Sequence, residues 1–210
     1  MSNTPDASPP GTEPPTGRPA DLVDPVDPAR RRRLLIVLAT LAVVVLVVDQ
    51  LTKVWAEGNL IPGERTPLVG RLLGLSLLHN PGGALSIATG MTWVLTLVAT
   101  TVVVIVVRAS RRIGSTAWAL ALGLLLGGAL GNLVDRFFRA PGPARGQVVD
   151  FIAYGNVFVG NIADIAIVGA AGLVIVLALR GIGLNGSRES DASRAAEPPT
   201  APNESESDRG

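Results

Sequence analysis

The stretch that decides the fold is Ile113–Val134, IGSTAWALALGLLLGGALGNLV, twenty-two residues without a charge, closed by Asp135 and Arg136. Crossing the hydrocarbon core of a bilayer takes about 20 apolar residues in a helix. Hydrophobicity here falls on every face and not in one stripe, which marks a membrane span and not a helix lying on a soluble core. Gly123, Gly127 and Gly131 recur at every fourth position and give another helix a place to approach closely. Three further runs share this character. Leu34–Val48 is uncharged and, extended through Asp49 and Gln50 to about Trp55, becomes long enough to cross. Met91–Val107 is uncharged throughout, and Ile162–Leu179 carries only Asp164, near its start. Together these runs specify an all-α polytopic membrane protein with four transmembrane helices. The spans fall at about 34–55, 91–108, 113–134 and 162–180, within a membrane domain covering 30–182.

The composition fits this. Of 210 residues, 48% are hydrophobic and the mean hydropathy is +0.42, too apolar for an ordinary soluble domain of this size. The polar residues gather at the ends. Residues 1–29 and 183–210 are rich in Pro, Ser, Thr, Ala and acids and poor in large apolar side chains, so both are expected to be disordered tails. The net charge of +1 averages acidic tails with a basic middle. There is no cysteine, which excludes disulfides, thiolate metal sites and a cysteine nucleophile. His79 is the only histidine, which excludes a paired-histidine zinc motif. It reads as a loop hydrogen-bonding residue. A Ser-His system would rest on this one residue, so carboxylates are the favoured catalytic groups.

Topology follows from the arginines. Arg30–Arg33 precede the first span, Arg108, Arg111 and Arg112 separate the second from the third, and Arg180 closes the fourth. The other two loops balance Lys53, Arg65, Arg71, Arg136, Arg139 and Arg145 with acids. Basic residues stay on the cytoplasmic side, so both tails are expected there and loops 56–90 and 135–161 outside. A basic run abutting a span is a topology anchor, so Arg30–Arg33 do not imply nucleic acid as a partner. Nor do they suggest a cleavable signal, because no small-residue cleavage site follows and Asp49-Gln50-Leu51-Thr52-Lys53 ends the apolar run.

In this orientation Asp49, Asp135, Asp150 and Asp164 all lie toward the outer face. Carboxylates at hydrocarbon depth are costly and mark a functional or a paired structural site. Two of them share a pattern, Asn132-Leu133-Val134-Asp135 and Asn161-Ile162-Ala163-Asp164. Residues three apart share a helix face, so each amide is expected beside its own aspartate. Helix capping by Asn161 is the plain structural alternative. A transporter with aspartates along an ion path is the rival function. It would want acids distributed through the membrane or an inverted repeat, and neither is evident.

With these residues in place, the chain resembles the lipoprotein signal peptidase (type II signal peptidase) family over about residues 34–180. Five ordered segments carry the resemblance: Asp49-Gln50-Leu51-Thr52-Lys53, Asn80-Pro81-Gly82-Gly83-Ala84-Leu85-Ser86, Gly131-Asn132-Leu133-Val134-Asp135-Arg136, Val148-Val149-Asp150-Phe151 and Asn161-Ile162-Ala163-Asp164. The resemblance implies an aspartyl endopeptidase of the bacterial cytoplasmic membrane that cleaves prolipoproteins before the diacylglyceryl-modified lipobox cysteine. It implies Asp150 and Asp164 as the catalytic pair, with Asp49, Asn80, Asn132, Asp135, Arg136 and Asn161 supporting the site or the substrate. It also implies a small extracytoplasmic β-cradle and a short outer helix within residues 56–90. No cofactor or metal is called for, and the partners are prolipoprotein substrates and membrane lipid, with the enzyme expected to act as a monomer. Three departures stand out. Gly160 and Ile165 replace the family's usual Phe and Ser around the second aspartate, Leu85 replaces a Phe, and Pro141-Gly142-Pro143 adds a turn before Val148.

Overall fold

The computed structural model describes residues 27–82 and 92–187. The elements run α1 (Pro28–Asn59), β1 (Thr66–Val69), β2 (Leu73–Asn80), α2 (Thr92–Ser110), α3 (Thr116–Phe138), β3 (Val148–Tyr154), β4 (Phe158–Gly160) and α4 (Ile162–Leu179). All four helices are long and apolar enough to cross a membrane. Their outward faces are aliphatic, among them Val43 and Val47 on α1, Leu97 and Ile105 on α2, and Val168 and Ile175 on α4.

Helix α3 is the hub and packs on α1, α2 and α4. Its glycines make that possible. A Cβ at Gly127 would lie 2.7 Å from both the Ala42 carbonyl oxygen and Val45 Cβ, and one at Gly131 would lie 2.6 Å from Asp49 Oδ2. The stripe read from the sequence therefore faces α1 and lets a carboxylate of α1 touch the α3 backbone.

Two helices run past their apolar stretches. Helix α1 continues through Lys53 and Ala56 to Asn59, and α3 through Asp135 and Arg136 to Phe138. The charges do not end these helices because each is buried with a partner, Lys53 with Asp49 and Asp135, and Arg136 near the Gly146 carbonyl. Helix α1 begins at Pro28, whose missing N–H costs nothing at a first turn, after Asp27, whose side chain accepts from the Ala29 amide.

The arginine-bearing ends collect at one end of the bundle. Leu34 and Leu38 of α1 pack there with Val106 of α2, Ile113, and Ala119 and Leu122 of α3. The segment after α4 closes over the same end, with the Gly114 amide donating to the Leu184 carbonyl at 2.9 Å and Trp118 Nε1 to the Ile182 carbonyl at 2.9 Å. Asp49, Asp135, Asp150 and Asp164 lie at the opposite end.

An all-α fold does not hold. The carboxylate end carries a four-stranded antiparallel sheet in the order β1-β2-β3-β4. Half of it comes from residues 148–160, within the expected outer loop 135–161. Val148-Val149-Asp150-Phe151-Ile152-Ala153 is a short apolar run without alternation, which suits a strand covered on both sides. Ala56, Leu77, Val149 and Phe151 form the core beneath the sheet. Residues 60–82 contain no short outer helix, and the rest of the segment expected to hold one, 83–91, lies outside the described residues. So do Gly83-Ala84-Leu85-Ser86, residues 1–26 and residues 188–210, and with them most of both expected tails.

Candidate active site

The sheet register and the start of α4 assemble the site. Strand β2 pairs with β3 so that Leu78 opposes Asp150 and Asn80 opposes Val148. Strand β4 returns along β3 and leads through Gly160 directly into Asn161, the N-cap of α4. Asp150 therefore sits on a strand and is 2% exposed, not on a mobile outer loop.

The Asp150 carboxylate accepts two amide hydrogen bonds, from Asn161 Nδ2 to Oδ1 at 2.6 Å and from Asn80 Nδ2 to Oδ2 at 2.8 Å. Asp164 accepts from Asn132 Nδ2 at 3.0 Å and from the Asn161 backbone amide at 3.2 Å. Asn161 Oδ1 in turn accepts from the Asp164 amide at 2.9 Å, completing a capping box. One residue, Asn161, is thus bonded to both aspartates. The structural and the functional readings of Asn-x-x-Asp both apply to it, since its oxygen caps the helix while its amide nitrogen holds Asp150.

The expectation that each amide serves its own aspartate is corrected. Asn132 on α3 donates across to Asp164 on α4, and Asn161 on α4 donates to Asp150 on β3. Close approach makes the crossing possible. A Cβ at Gly128 would lie 2.6 Å from the Ala163 carbonyl oxygen, so α3 and α4 run almost backbone to backbone there.

Asp49 and Asp135 lie behind the pair in a separate ionic cluster. Lys53 Nζ, fully buried, sits 2.8 Å from Asp49 Oδ2 and 2.7 Å from Asp135 Oδ2, and donates to Asn132 Oδ1 at 3.1 Å. Gln50 Nε2 donates to Asp49, to Asp135 and to the Gly131 carbonyl. Asp49 Oδ1 accepts from the Ala163 amide at 2.9 Å, tying α1 to the first turn of α4. Asp135 reaches Arg139 at 2.8 Å, and Arg139 reaches Glu57 at 2.5 Å. His79, on β2 and not in a loop, contacts the same Glu57 at 3.4 Å. Arg136 is buried, with its guanidinium 3.5 Å from the Gly146 carbonyl oxygen.

Lys53, Gln50 and Arg139 are the members of this cluster that sequence reasoning did not single out. A signal was present. Asp49 and Lys53 are four apart, hence on one helix face, at the end of an otherwise apolar span.

Burial pushes the Asp150 carboxyl up to about 7, and the neighbouring Asp164 charge adds to the rise, against the amide hydrogen bonds that favour the ionised form. An apolar cavity of about 250 Å³ between α2, α3 and α4 ends at Asn132 and Arg136, and a wider groove of about 370 Å³ runs from Asp164 past Ile165 and Val168. A substrate with apolar parts can therefore reach Asp164 along the groove, while the cavity leads to Asn132, the amide that bonds Asp164. Among the described residues, no three His, Asp or Glu side chains are grouped to hold a metal ion.

The family model for signal peptidase (SPase) II matches residues 41–180. A lipoprotein signal peptidase of Mycolicibacterium smegmatis is 52% identical over 169 residues, covering 80% of this chain and 71% of that protein. One of Rhodococcus jostii is 52% identical over 171 residues, covering 81% and 85%. Among solved structures, a bacterial membrane enzyme determined by the in meso method at 2.3 Å superposes with a TM-score of 0.61 at 26% identity, over 68% of this chain and 87% of that one.

Proposed function

This chain belongs to the signal peptidase II family, a family of aspartic peptidases, and we propose that it removes signal peptides from prolipoproteins with Asp150 and Asp164 as its catalytic pair. The observation that carries the assignment is Asn161, bonded to both carboxylates at once. Cleavage falls before the diacylglyceryl-modified cysteine of the lipobox.

Hydrolysis by two carboxyls needs them to share one proton, because two adjacent negative charges are expensive. Asp150 is able to hold that proton near neutral pH, since burial raises its pKa to about 7. Asp164 lies in the first turn of α4, where the helix dipole favours negative charge, and Asn132 and the Asn161 backbone orient it. The ionised carboxylate takes a proton from the attacking water while the protonated one donates to the scissile carbonyl oxygen. The two exchange roles as the tetrahedral intermediate collapses and the amine leaves. The pair titrates as a unit.

Asn80 supports Asp150, Asn132 supports Asp164, and Asn161 supports both carboxyls. Asp49 and Asp135 hold the helices that carry them. Arg136, buried at the end of the α2–α3–α4 cavity, contacts substrate carbonyl groups. The arginine end faces the cytoplasm with both termini, and the sheet and the aspartates face outward at the outer leaflet of the bacterial cytoplasmic membrane. The enzyme acts as a monomer on lipid-embedded substrates.

The test is cleavage of a diacylglyceryl-modified prolipoprotein by purified enzyme in detergent, read by gel shift. Asp150→Asn and Asp164→Asn each abolish turnover in folded protein. Asp49→Asn and Asp135→Asn lower the yield of folded protein but leave residual turnover. Near-normal cleavage by Asp150→Asn, with Asp135→Asn inactive though folded, would overturn the pair.

A further inference from the structure

The groove of about 370 Å³ beside Asp164 has a carboxylate at one end and is otherwise lined by the rings of Tyr154 and Phe158 and the aliphatic side chains of Ile165 and Val168. Ile165 and Val168 lie on the outward face of α4, so the groove is open along the helix. Its other wall is aromatic. Tyr154 and Phe158 oppose each other in the β3–β4 register, and their rings stack with centroids 5.9 Å apart and planes inclined by 18°.

Gly160 is what admits the Phe158 ring. Residues 158 and 160 point to the same side of β4, because side chains alternate along a strand. Gly160 does not have a positive φ, so its backbone would accept another residue. The space would not. A Cβ there would lie 2.7 Å from Phe158 Cε1, 3.0 Å from Phe158 Cζ and 3.0 Å from Asp164 Oδ2. Any side chain at 160 must displace the ring from its place against the carboxylate.

We propose that Phe158, admitted by Gly160 and braced by Tyr154, is a specificity-determining wall of a subsite that grips a hydrocarbon group of the substrate next to the scissile bond. This rests on the reading of Asp164 as one of the catalytic pair. Apart from the Asp164 carboxylate and the Tyr154 hydroxyl, the groove offers no side chain that could replace the hydrogen bonds a polar group would lose on leaving water, whereas the Phe158, Ile165 and Val168 side chains stabilise buried hydrocarbon. A flat ring held at fixed distance from α4 makes a slot whose width selects by size. The hydrocarbon belongs either to the acyl chains of the substrate or to an apolar side chain of the segment before the cut.

Two substrate series distinguish these sources, one varying acyl length on a fixed peptide and the other varying the size of the residues before the cut on a fixed lipid. Both are cleaved by the parent enzyme, Phe158→Leu, Phe158→Ala, Gly160→Ala and the Gly160→Ala/Phe158→Ala double variant. Phe158→Ala shifts relative kcat/KM toward the bulkier members of one series by roughly tenfold, through KM, and Phe158→Leu does so less. The series that responds names the source. Gly160→Ala penalises the bulkiest members most, and adding Phe158→Ala restores them, a coupling that mere loss of folded protein would not produce. Unchanged selectivity in both series for folded Phe158→Ala overturns the proposal. So do additive effects of Gly160→Ala and Phe158→Ala. Failure of the catalytic-pair reading is read separately, as turnover retained by Asp164→Asn.

Discussion

Replacing Asp150 by asparagine is expected to stabilise the protein increasingly as pH rises, while it removes activity. Burial lifts the Asp150 pKa from its ordinary 3.8 to about 7. Below about pH 4 the folded and unfolded chains both hold the proton and ionisation costs the fold nothing. Between about 4 and 7 the unfolded chain ionises and the folded one does not, so each pH unit removes about 1.4 kcal/mol of stability. Above about 7 both are ionised and the loss levels off at roughly 4 kcal/mol, from a shift of about three units between 3.8 and 7. An asparagine at 150 cannot ionise and escapes this loss. It carries its own cost, because Asn80 and Asn161 both donate to the position and an amide offers only one acceptor oxygen, but that cost does not vary with pH. The thermal midpoint of Asp150→Asn relative to the parent, measured in detergent from pH 4.5 to 8.5, therefore climbs by on the order of 10 °C and then flattens. Parent turnover falls about tenfold per unit above pH 7 as the shared proton is lost. A midpoint difference that stays flat from pH 4.5 to 8.5 would refute the reasoning, since Asp150 would then titrate as an ordinary surface acid.

Lys53→Met leaves Asp49 and Asp135 buried without their shared cation and should lower stability by about 3–5 kcal/mol, seen as a loss of folded protein in detergent. The triple variant with Asp49→Asn and Asp135→Asn recovers much of that loss, and no recovery would show that the cluster is not governed by charge. Gly127→Leu drives a side chain into Ala42 and Val45 and separates α1 from α3, whereas Gly169→Leu, where a Cβ meets nothing within 4 Å, is tolerated. Equal folded yields of the two would sink the close-packing account. Reporter fusions after Arg112 and Arg180 should read cytoplasmic and one after Ala140 external, and an external signal at Arg112 would reverse the arginine argument.

The helices were legible because their signal is length and freedom from charge, and both survive in one dimension. The glycine stripe was legible for the same reason, since a four-residue spacing is a face. The convergence of the four aspartates at one end followed from counting spans. The partners were not legible, because they are set by which helices touch. Within one helix Asn132 faces Asp135, yet in the fold Asp135 is taken by Lys53 and Arg139 and the Asn132 amide reaches Asp164. Strand β3 is not legible as a strand because its run is too short to tell from a turn of buried helix, and only the fold shows it as an inner strand between β2 and β4, buried on both faces. The capping alternative for Asn161 was sound, and the same side chain does both jobs because its oxygen and its nitrogen point to different partners.

The division of partners among the carboxylates explains how one end of this bundle can hold both a structural and a reactive set. The cations in contact, Lys53 and Arg139, bind Asp49, Asp135 and Glu57. Among the described residues, no lysine or arginine lies within ion-pair distance of Asp150 or Asp164, which are held by amides of Asn80, Asn132 and Asn161. A cation beside a carboxylate favours its ionised form, whereas a neutral amide orients it at a smaller electrostatic cost to the protonated form. Lys53 comes one residue short of the pair, because it bonds Asn132 Oδ1 and the opposite end of that amide bonds Asp164. It thereby polarises the donor without neutralising the acceptor. The proposed sharing of one proton by Asp150 and Asp164 near neutral pH is served by this arrangement, with full charges one amide away and only dipoles in contact. The ionic cluster can then fasten α1, α3 and α4 together without setting a full positive charge against Asp150 or Asp164.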